Sequence, residues 1–281
     1  MSGDTERKLD KFFAAFGAAS APLLMLDYDG TLAPFRLDRF KAAPWAGVRE
    51  LLMRIQGNGR TRIVVITGRP ADEIPELLRV EPAPEIWGLH GAERLHTSGR
   101  RELKQAPSKM RSKLGELHSQ LQYDQLGGLY ERKVNAAVMH WRGVSAKKAK
   151  EIEKRTRELF EPLAKFYGLT LQPFEAGLEL RAGPEKGDAV RTLIGKVNNG
   201  RKQPAAYLGD DLTDESAFRA IKGQGLSVLV RRQRRNSAAD IWLRPPEELR
   251  DFLKRWLQAC NTLAPQKTTR RVSRESPPVR S

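Results

Sequence analysis

Cys260 is the only cysteine in a chain of 281 residues. No intrachain disulfide can form, and a metal site built on cysteine thiolates is excluded; a reducing compartment such as the cytoplasm suits this chain. No apolar run reaches the roughly 18 residues of a membrane span. The strongest imitation is "FFAAFGAASAPLLML" behind Lys8 and Lys11, which has the look of a secretory signal. Cleavage near Ala21 would strip the lead-in from the apolar run Leu23–Leu26. A short amphipathic helix over Arg7–Phe16, followed by a strand, is therefore predicted. No internal repeat is present. Acidic residues are the scarce charge: 34 Asp and Glu face 50 Lys and Arg, a net +16. Such an excess serves nucleic acid, an anionic membrane surface or an anionic substrate. Part of it has a blander source. The tail "PQKTTRRVSRESPPVRS" carries five basic residues, one Glu and no aromatic, and reads as disordered over residues 264–281. A second basic run, "VRRQRRNS", spans Val230–Ser237. Charge without a recognition motif does not make a nucleic-acid protein, and a tail without an apolar face is no membrane anchor. Neither partner is expected. A monomer is the working expectation.

What is present is an ordinary globular chain, 40% apolar and long enough for one large domain or a domain with an insertion. Short apolar runs recur: Leu23–Leu26, "RIVVIT" ending at Thr67, "AAYLGDD" containing Asp210, "LSVLV" ending at Val230, and "IWL" ending at Leu243. Continuous apolar runs of this length suit strands buried on both faces of a parallel sheet. Helical stretches lie between them, at Pro44–Gln56, Ala71–Leu78, Lys186–Val197, Asp214–Ala220 and Pro246–Ala259. The alternation predicts a Rossmann-like, doubly wound α/β core. From about residue 107 to 183 the pattern changes. "SKMRSKLGELHSQL" is helical, "GLYERKVNAAVMHW" alternates like one antiparallel strand, and "SAKKAKEIEKRTRELFEPLAKF" is a long basic helix. "LTLQPFEAGLELRAG" makes one or two strands. This is an α+β insert, residues 107–183, between core halves at 1–106 and 184–263.

Ligands of open α/β sheets bind beyond the carboxyl ends of the strands, and the polar residues collect there. Asp27 and Asp29 are two apart on an extended segment, so they share a side. Crowded carboxylates resist joint ionisation, so one keeps a proton or a cation enters. Thr67, before Gly68, brings a hydroxyl and free backbone N–H groups to another strand end, a setting for phosphate oxygens. Lys186 opens a helix, where the dipole favours anions. "GDDLTDE" packs Asp210, Asp211, Asp214 and Glu215 into six residues. Hard-cation binding offsets that repulsion, and oxygen ligands suit Mg²⁺; Asp214 is alternatively a helix cap. In the insert, Glu131, Lys133 and Asn135 share one face of the predicted strand, and Glu179 faces away from Leu178 and Leu180. A sugar-binding surface and a solvated sheet with a cross-strand ion pair both fit that pattern.

"DYDGT", Thr67, Lys186 and "GDDLTD" come in the order of the four motifs of haloacid dehalogenase-like phosphohydrolases. "DYDGTLAPF", "GLHGAE", "ERKVNAAVMHWR", "LELRAGPEKG" and "GDDLTDE" resemble segments of the trehalose-6-phosphate phosphatase family, over about Leu23 to Leu243. The resemblance implies a Mg²⁺-dependent phosphatase with trehalose 6-phosphate as substrate. It implies Asp27 as nucleophile, Asp29 as general acid and base, and Thr67 and Lys186 as phosphoryl ligands. It implies a cation on Asp27, the Asp29 carbonyl and Asp210, oriented by Asp211 and Asp214. The insert becomes a cap, with Gly91, Glu131, Lys133, Arg142 and Glu179 at the substrate; His140 is read as structural. Thr67 stands where serine is frequent in the family. Another capped sugar-phosphate phosphatase would share the core and differ in the cap.

Overall fold

The computed structural model describes residues 3–18, 21–36, 38–123, 130–133, 135–174, 177–197 and 203–262. The expected disordered tail lies outside them. The first stretch contains α1 (Gly3–Ala14), β1 (Leu23–Leu26), α2 (Val48–Gly57), β2 (Arg62–Ile66), α3 (Glu73–Leu78), β3 (Glu85–Gly88), β4 (Glu93–Leu95) and β5 (Arg101–Leu103). Then follow α4 (Ser108–Tyr123), β6 (Tyr130–Lys133), β7 (Ala136–His140), α5 (Ala146–Tyr167), β8 (Thr170–Phe174) and β9 (Gly177–Arg181). The chain continues through α6 (Lys186–Val197), β10 (Ala205–Gly209), α7 (Glu215–Ile221), β11 (Leu226–Val230), β12 (Ile241–Leu243) and α8 (Glu247–Asn261).

The larger sheet runs β12-β11-β10-β1-β2-β3-β4-β5, parallel from β12 to β3 and antiparallel thereafter. Its strands are apolar on both faces because both are covered. Leu24, Leu26, Val65, Leu208 and Val228 face α1, α2, α3 and α8. Met25, Val64, Tyr207 and Leu229 face α6 and α7. The doubly wound expectation holds for β1, β2, β10, β11 and β12. Strands β3, β4 and β5 lie outside the predicted set: "EIWG", "ERL" and "REL" are short and charged, and pairing rather than apolar pattern makes them strands.

The second sheet, β6-β7-β9-β8, is antiparallel throughout. Ala137, Met139, Leu178 and Leu180 pack on Leu114, Leu117, Ile152 and Phe160 of α4 and α5, a core separate from those of the larger sheet. Residues 128–141 do not form the single strand predicted. The chain turns at Asn135, with Lys133 opposite Ala136, so Asn135 lies in the turn and not on a strand. Asparagine favours such turns over strand interiors.

The N-terminal helix is amphipathic, as expected, and caps the larger sheet. Phe12, Phe13 and Phe16 gather around Trp256 of α8, with Phe16 at 4.9 Å between ring centres. The Trp256 indole N–H donates to Thr61 Oγ1 at 2.9 Å, and that hydroxyl lies 3.1 Å from the buried Cys260 Sγ. Among the described residues no helix is long and apolar enough to cross a membrane. Trp256→Ala empties a fully buried site and leaves Thr61 short of a partner. Its cost should be about 3–5 kcal/mol, read as a lower urea midpoint at unchanged m-value.

Candidate active site

Parallel pairing in register brings several strand ends together. Leu26 of β1 lies opposite Leu208 of β10 and Val65 of β2, so Asp27, Asp210 and Thr67 follow at one end of the sheet. Asp27 continues the ladder, donating its N–H to the Leu208 carbonyl at 2.9 Å. The turn after it needs Gly30. At φ +82° a side chain would be strained, and an added Cβ would lie 2.1 Å from Asp210 Oδ2. The two acidic segments thus meet over a bare glycine.

Lys186, at the start of α6, ties the acids together. Its Nζ donates to Asp27 Oδ1 at 2.7 Å and Asp214 Oδ1 at 2.8 Å, and all three residues are buried. Asp214 is fully engaged: Oδ1 also accepts from Tyr207 Oη at 2.5 Å, and Oδ2 accepts the Asp210 and Asp211 N–H groups at 3.0 and 2.9 Å. Burial pushes Asp214 up, but Lys186 and these donors outweigh it and hold the carboxyl below its usual range. Burial pushes Asp27 up to about 7 against the pull of Lys186, with Asp214 and Asp29 adding to the rise. Burial, then Asp27, Asp214 and Asp211, raise Asp210 well above its usual range. Asp210 Oδ1 is buried and has no hydrogen-bond partner. Asp27, Asp210 and Asp214 each bring one oxygen within 4.8 Å of the others. The donor atoms are all oxygen, a set that fits a hard divalent cation.

Asp29 points elsewhere. Arg69 Nε and Nη2 donate to its two oxygens at 2.6 and 2.7 Å. Arg69 Nη1 donates to the Arg39 carbonyl at 2.8 Å and reaches Glu73 at 3.3 Å. Arg39 pairs with Glu73 and, across to the smaller sheet, donates to Glu131 Oε1 at 3.0 Å. Glu131 Oε2 in turn lies 2.9 Å from His140 Nε2. Thr67 Oγ1 is buried and accepts the Arg69 N–H at 3.2 Å.

Register also orders the face of the smaller sheet that looks toward these acids. Glu131, Val138 and Glu179 form one cross-strand row; Lys133, Ala136 and Arg181 form the next. Glu179 is buried, with Lys133 Nζ at 3.7 Å and His90 Nε2 at 3.1 Å. Burial alone would raise Glu179; Lys133, His90 and Arg181 hold it far below its usual range. Burial pushes His90 down to about 4 despite Glu179 beside it, so the ring is neutral. A void of about 10 Å³ between the two sheets is lined by His90, Lys133, Asn135, Glu179 and Arg181. Gly91 (φ +102°) packs its bare backbone against α6, where a Cβ would lie 3.2 Å from Ala189 Cβ. Arg142 is exposed and stacks over Phe35 at 4.8 Å, bridging the small sheet to the loop after Asp29.

Several partners escaped the sequence. Arg69 had a signal, since it follows Thr67 and Gly68, but reads there as part of a turn. Arg39, His90, Tyr207 and Arg181 had none, because their directions depend on contacts far along the chain.

This architecture has known counterparts. A haloacid dehalogenase-like hydrolase from B. subtilis superimposes with a TM-score of 0.59 over 83% of this chain and 98% of its own, at 17% identity. The C. albicans trehalose-6-phosphate phosphatase C-terminal domain does so at 0.74 over 90% and 96%, at 22% identity. The fold is therefore that of the haloacid dehalogenase-like hydrolases. Residues 25–244 match the trehalose-phosphatase family model, and the chain belongs to that family. A trehalose-phosphate phosphatase from Mycobacterium marinum is 28% identical over 262 residues, which are 86% of this chain and 63% of that protein. The chain thus spans less than two thirds of that relative's length.

His90 yields a pH test. An unfolded chain takes up the histidine proton near pH 6.5, while the folded ring resists it until about 4. Its contribution is complete above pH 6.5 and is lost as pH falls toward 4. Asp27 acts in the opposite sense over the same range but is present in both proteins compared. The stability advantage of wild type over His90→Asn, by urea unfolding, should shrink by up to about 3 kcal/mol between pH 6.5 and 4. A flat difference would show that His90 protonates freely when folded.

Proposed function

We propose that the chain hydrolyses trehalose 6-phosphate to trehalose and phosphate, through a phosphoryl group carried on Asp27 and with Mg²⁺ at the acidic cluster. The observation that carries this reading is the buried Lys186 holding Asp27 and Asp214 beneath an unpartnered Asp210 oxygen. Family membership supports the substrate. In this reading the Asp27 oxygen that Lys186 does not hold attacks phosphorus in line. Lys186 and Thr67 take the phosphoryl oxygens, with Lys186 offsetting the charge that gathers there. Asp29 gives a proton to the departing sugar oxygen and later takes one from the attacking water. Turning one Asp29 oxygen toward the sugar costs one of its two hydrogen bonds to Arg69. When bound, Mg²⁺ screens the acids and the incoming phosphate. Asp27, Asp210 and the Asp29 carbonyl would hold it; Asp214, whose two oxygens already accept hydrogen bonds, would orient that set together with Asp211.

Residues 107–183 form the cap in this reading, and 1–106 with 184–263 the catalytic core. Glu131, Lys133, Glu179 and Arg142 face the sugar, with Gly91 shaping the loop beside it. The void beside Lys133 and Glu179 is about 10 Å³, too small for a sugar to reach them, since small-molecule pockets run to about 300 Å³ or more. The cap therefore swings about residues 104–107 and 182–185, breaking Arg39–Glu131 and His90–Glu179 as it opens. A monomer in the cytoplasm, with no nucleic-acid or membrane partner, completes the reading; the buried lone thiol Cys260 suits a reducing compartment.

Phosphate release from a panel of sugar phosphates, with and without Mg²⁺, tests the chemistry. Trehalose 6-phosphate should be strongly preferred, and activity should vanish with EDTA and in Asp27→Asn. Preference for another disaccharide phosphate would keep the core reading and remove the cap reading. Solution scattering should differ between free protein and protein with a non-hydrolysable substrate analogue; superimposable curves would refute the cap motion.

A further inference from the structure

The basic run Val230–Ser237 has no part in the chemistry above, yet one of its members turns inward. Arg235 Nη2 donates to the Asp211 carbonyl at 2.7 Å and lies 3.5 Å from the Asp210 carbonyl. Nη1 donates to the Asn236 carbonyl at 2.9 Å and pairs with Glu215. The other Glu215 oxygen accepts the Ala238 N–H at 2.8 Å, which fixes the guanidinium from behind. On the opposite side of the same loop, Asp214 Oδ2 takes the N–H groups of Asp210 and Asp211. Residues 210 and 211 are gripped by a carboxylate at their amides and by a guanidinium at their carbonyls. The Asp210 side chain that leaves this grip carries the unpartnered oxygen and occupies the space that a Cβ on Gly30 would take.

We propose that Arg235 is a positioning residue for the cation site: by clamping the carbonyl side of residues 210–211 it aims the Asp210 carboxylate at the cation. The inference rests on the reading that Asp210 ligates Mg²⁺. A guanidinium suits the task because its planar fork spans a backbone carbonyl and a carboxylate at once; a lysine ammonium is a single point on a flexible stem. The same geometry permits an opposite expectation. A cationic side chain near a cation site repels the cation, so if Arg235 acted only through its charge, removing it would tighten Mg²⁺ binding. Positioning and charge therefore differ in sign.

The test is Mg²⁺ affinity of the full chain by isothermal titration calorimetry, which needs no turnover. Arg235→Met and Arg235→Lys should each weaken binding on the order of tenfold, the usual scale for losing a group that orients a metal ligand. Arg234→Met, which removes the same charge from an exposed neighbour, should bind as wild type does. At saturating Mg²⁺ the KM for the sugar phosphate should stay near the wild-type value. If Arg235→Met binds Mg²⁺ as well as wild type or better, or if Arg234→Met weakens it equally, the inference is overturned. If Arg235→Met does not fold, Arg235→Lys decides alone, since it keeps the charge and loses the fork; wild-type affinity in that variant overturns the inference. Failure of the underlying cation reading looks different: wild type would bind no Mg²⁺, or Asp210→Asn would bind it unchanged.

Discussion

Everything at the sheet end depends on one buried ammonium. Asp27, Asp210 and Asp214 are too close and too dry to be charged together, and Lys186 is the cation that the chain itself supplies among them. Breaking a buried ion pair on one side typically costs several kcal/mol. One lysine also cannot balance three carboxylates. Burial first, and then the neighbouring carboxylates, push Asp27 and Asp210 up, while Asp214, which holds most of the hydrogen bonds, is held below its usual range. The site is held in its fold by Lys186 yet left short of positive charge.

The second constraint is how the small sheet closes on the large one. Alternation along β7 and β9 sends Ala137, Met139, Leu178 and Leu180 to the helices, and their neighbours Val138, Glu179 and Arg181 to the cleft. The polar face is not left to water. Glu179 meets His90, Glu131 meets Arg39, and Arg142 lies over Phe35. Through Arg39, Glu73 and Arg69 the Glu131 contact runs on to Asp29. The face of the small sheet and the second aspartate of the opening motif are therefore joined by one unbroken set of ion pairs and hydrogen bonds.

Three arginines near the site are engaged within the protein. Arg69 and Arg235 are turned onto carboxylates and backbone carbonyls, and Arg39 onto carboxylates, around the acidic segments. A count of charges reads them as potential surface for an anionic partner. Their geometry makes them partners of the protein's own acids.

The sequence by itself determined the two-sided burial of β1, β2, β10, β11 and β12, because unbroken apolar runs of that length have few other uses. With the parallel arrangement it also determined that Asp27, Thr67 and Asp210 lie at one end of the sheet. The two-sided alternation around Glu179 was legible for the same reason. Tertiary structure alone decided the rest. Strands β3, β4 and β5 exist by pairing, not by pattern. The turn at Asn135 split one predicted strand into two. Asp29 turned to Arg69, Asp214 rather than Asp211 took the centre of the hydrogen bonds, and Arg235 folded in from a run that looked like solvent-exposed charge. In each case the side chain's direction is set by a partner tens or hundreds of residues away, or by a turn whose course local propensity does not prescribe.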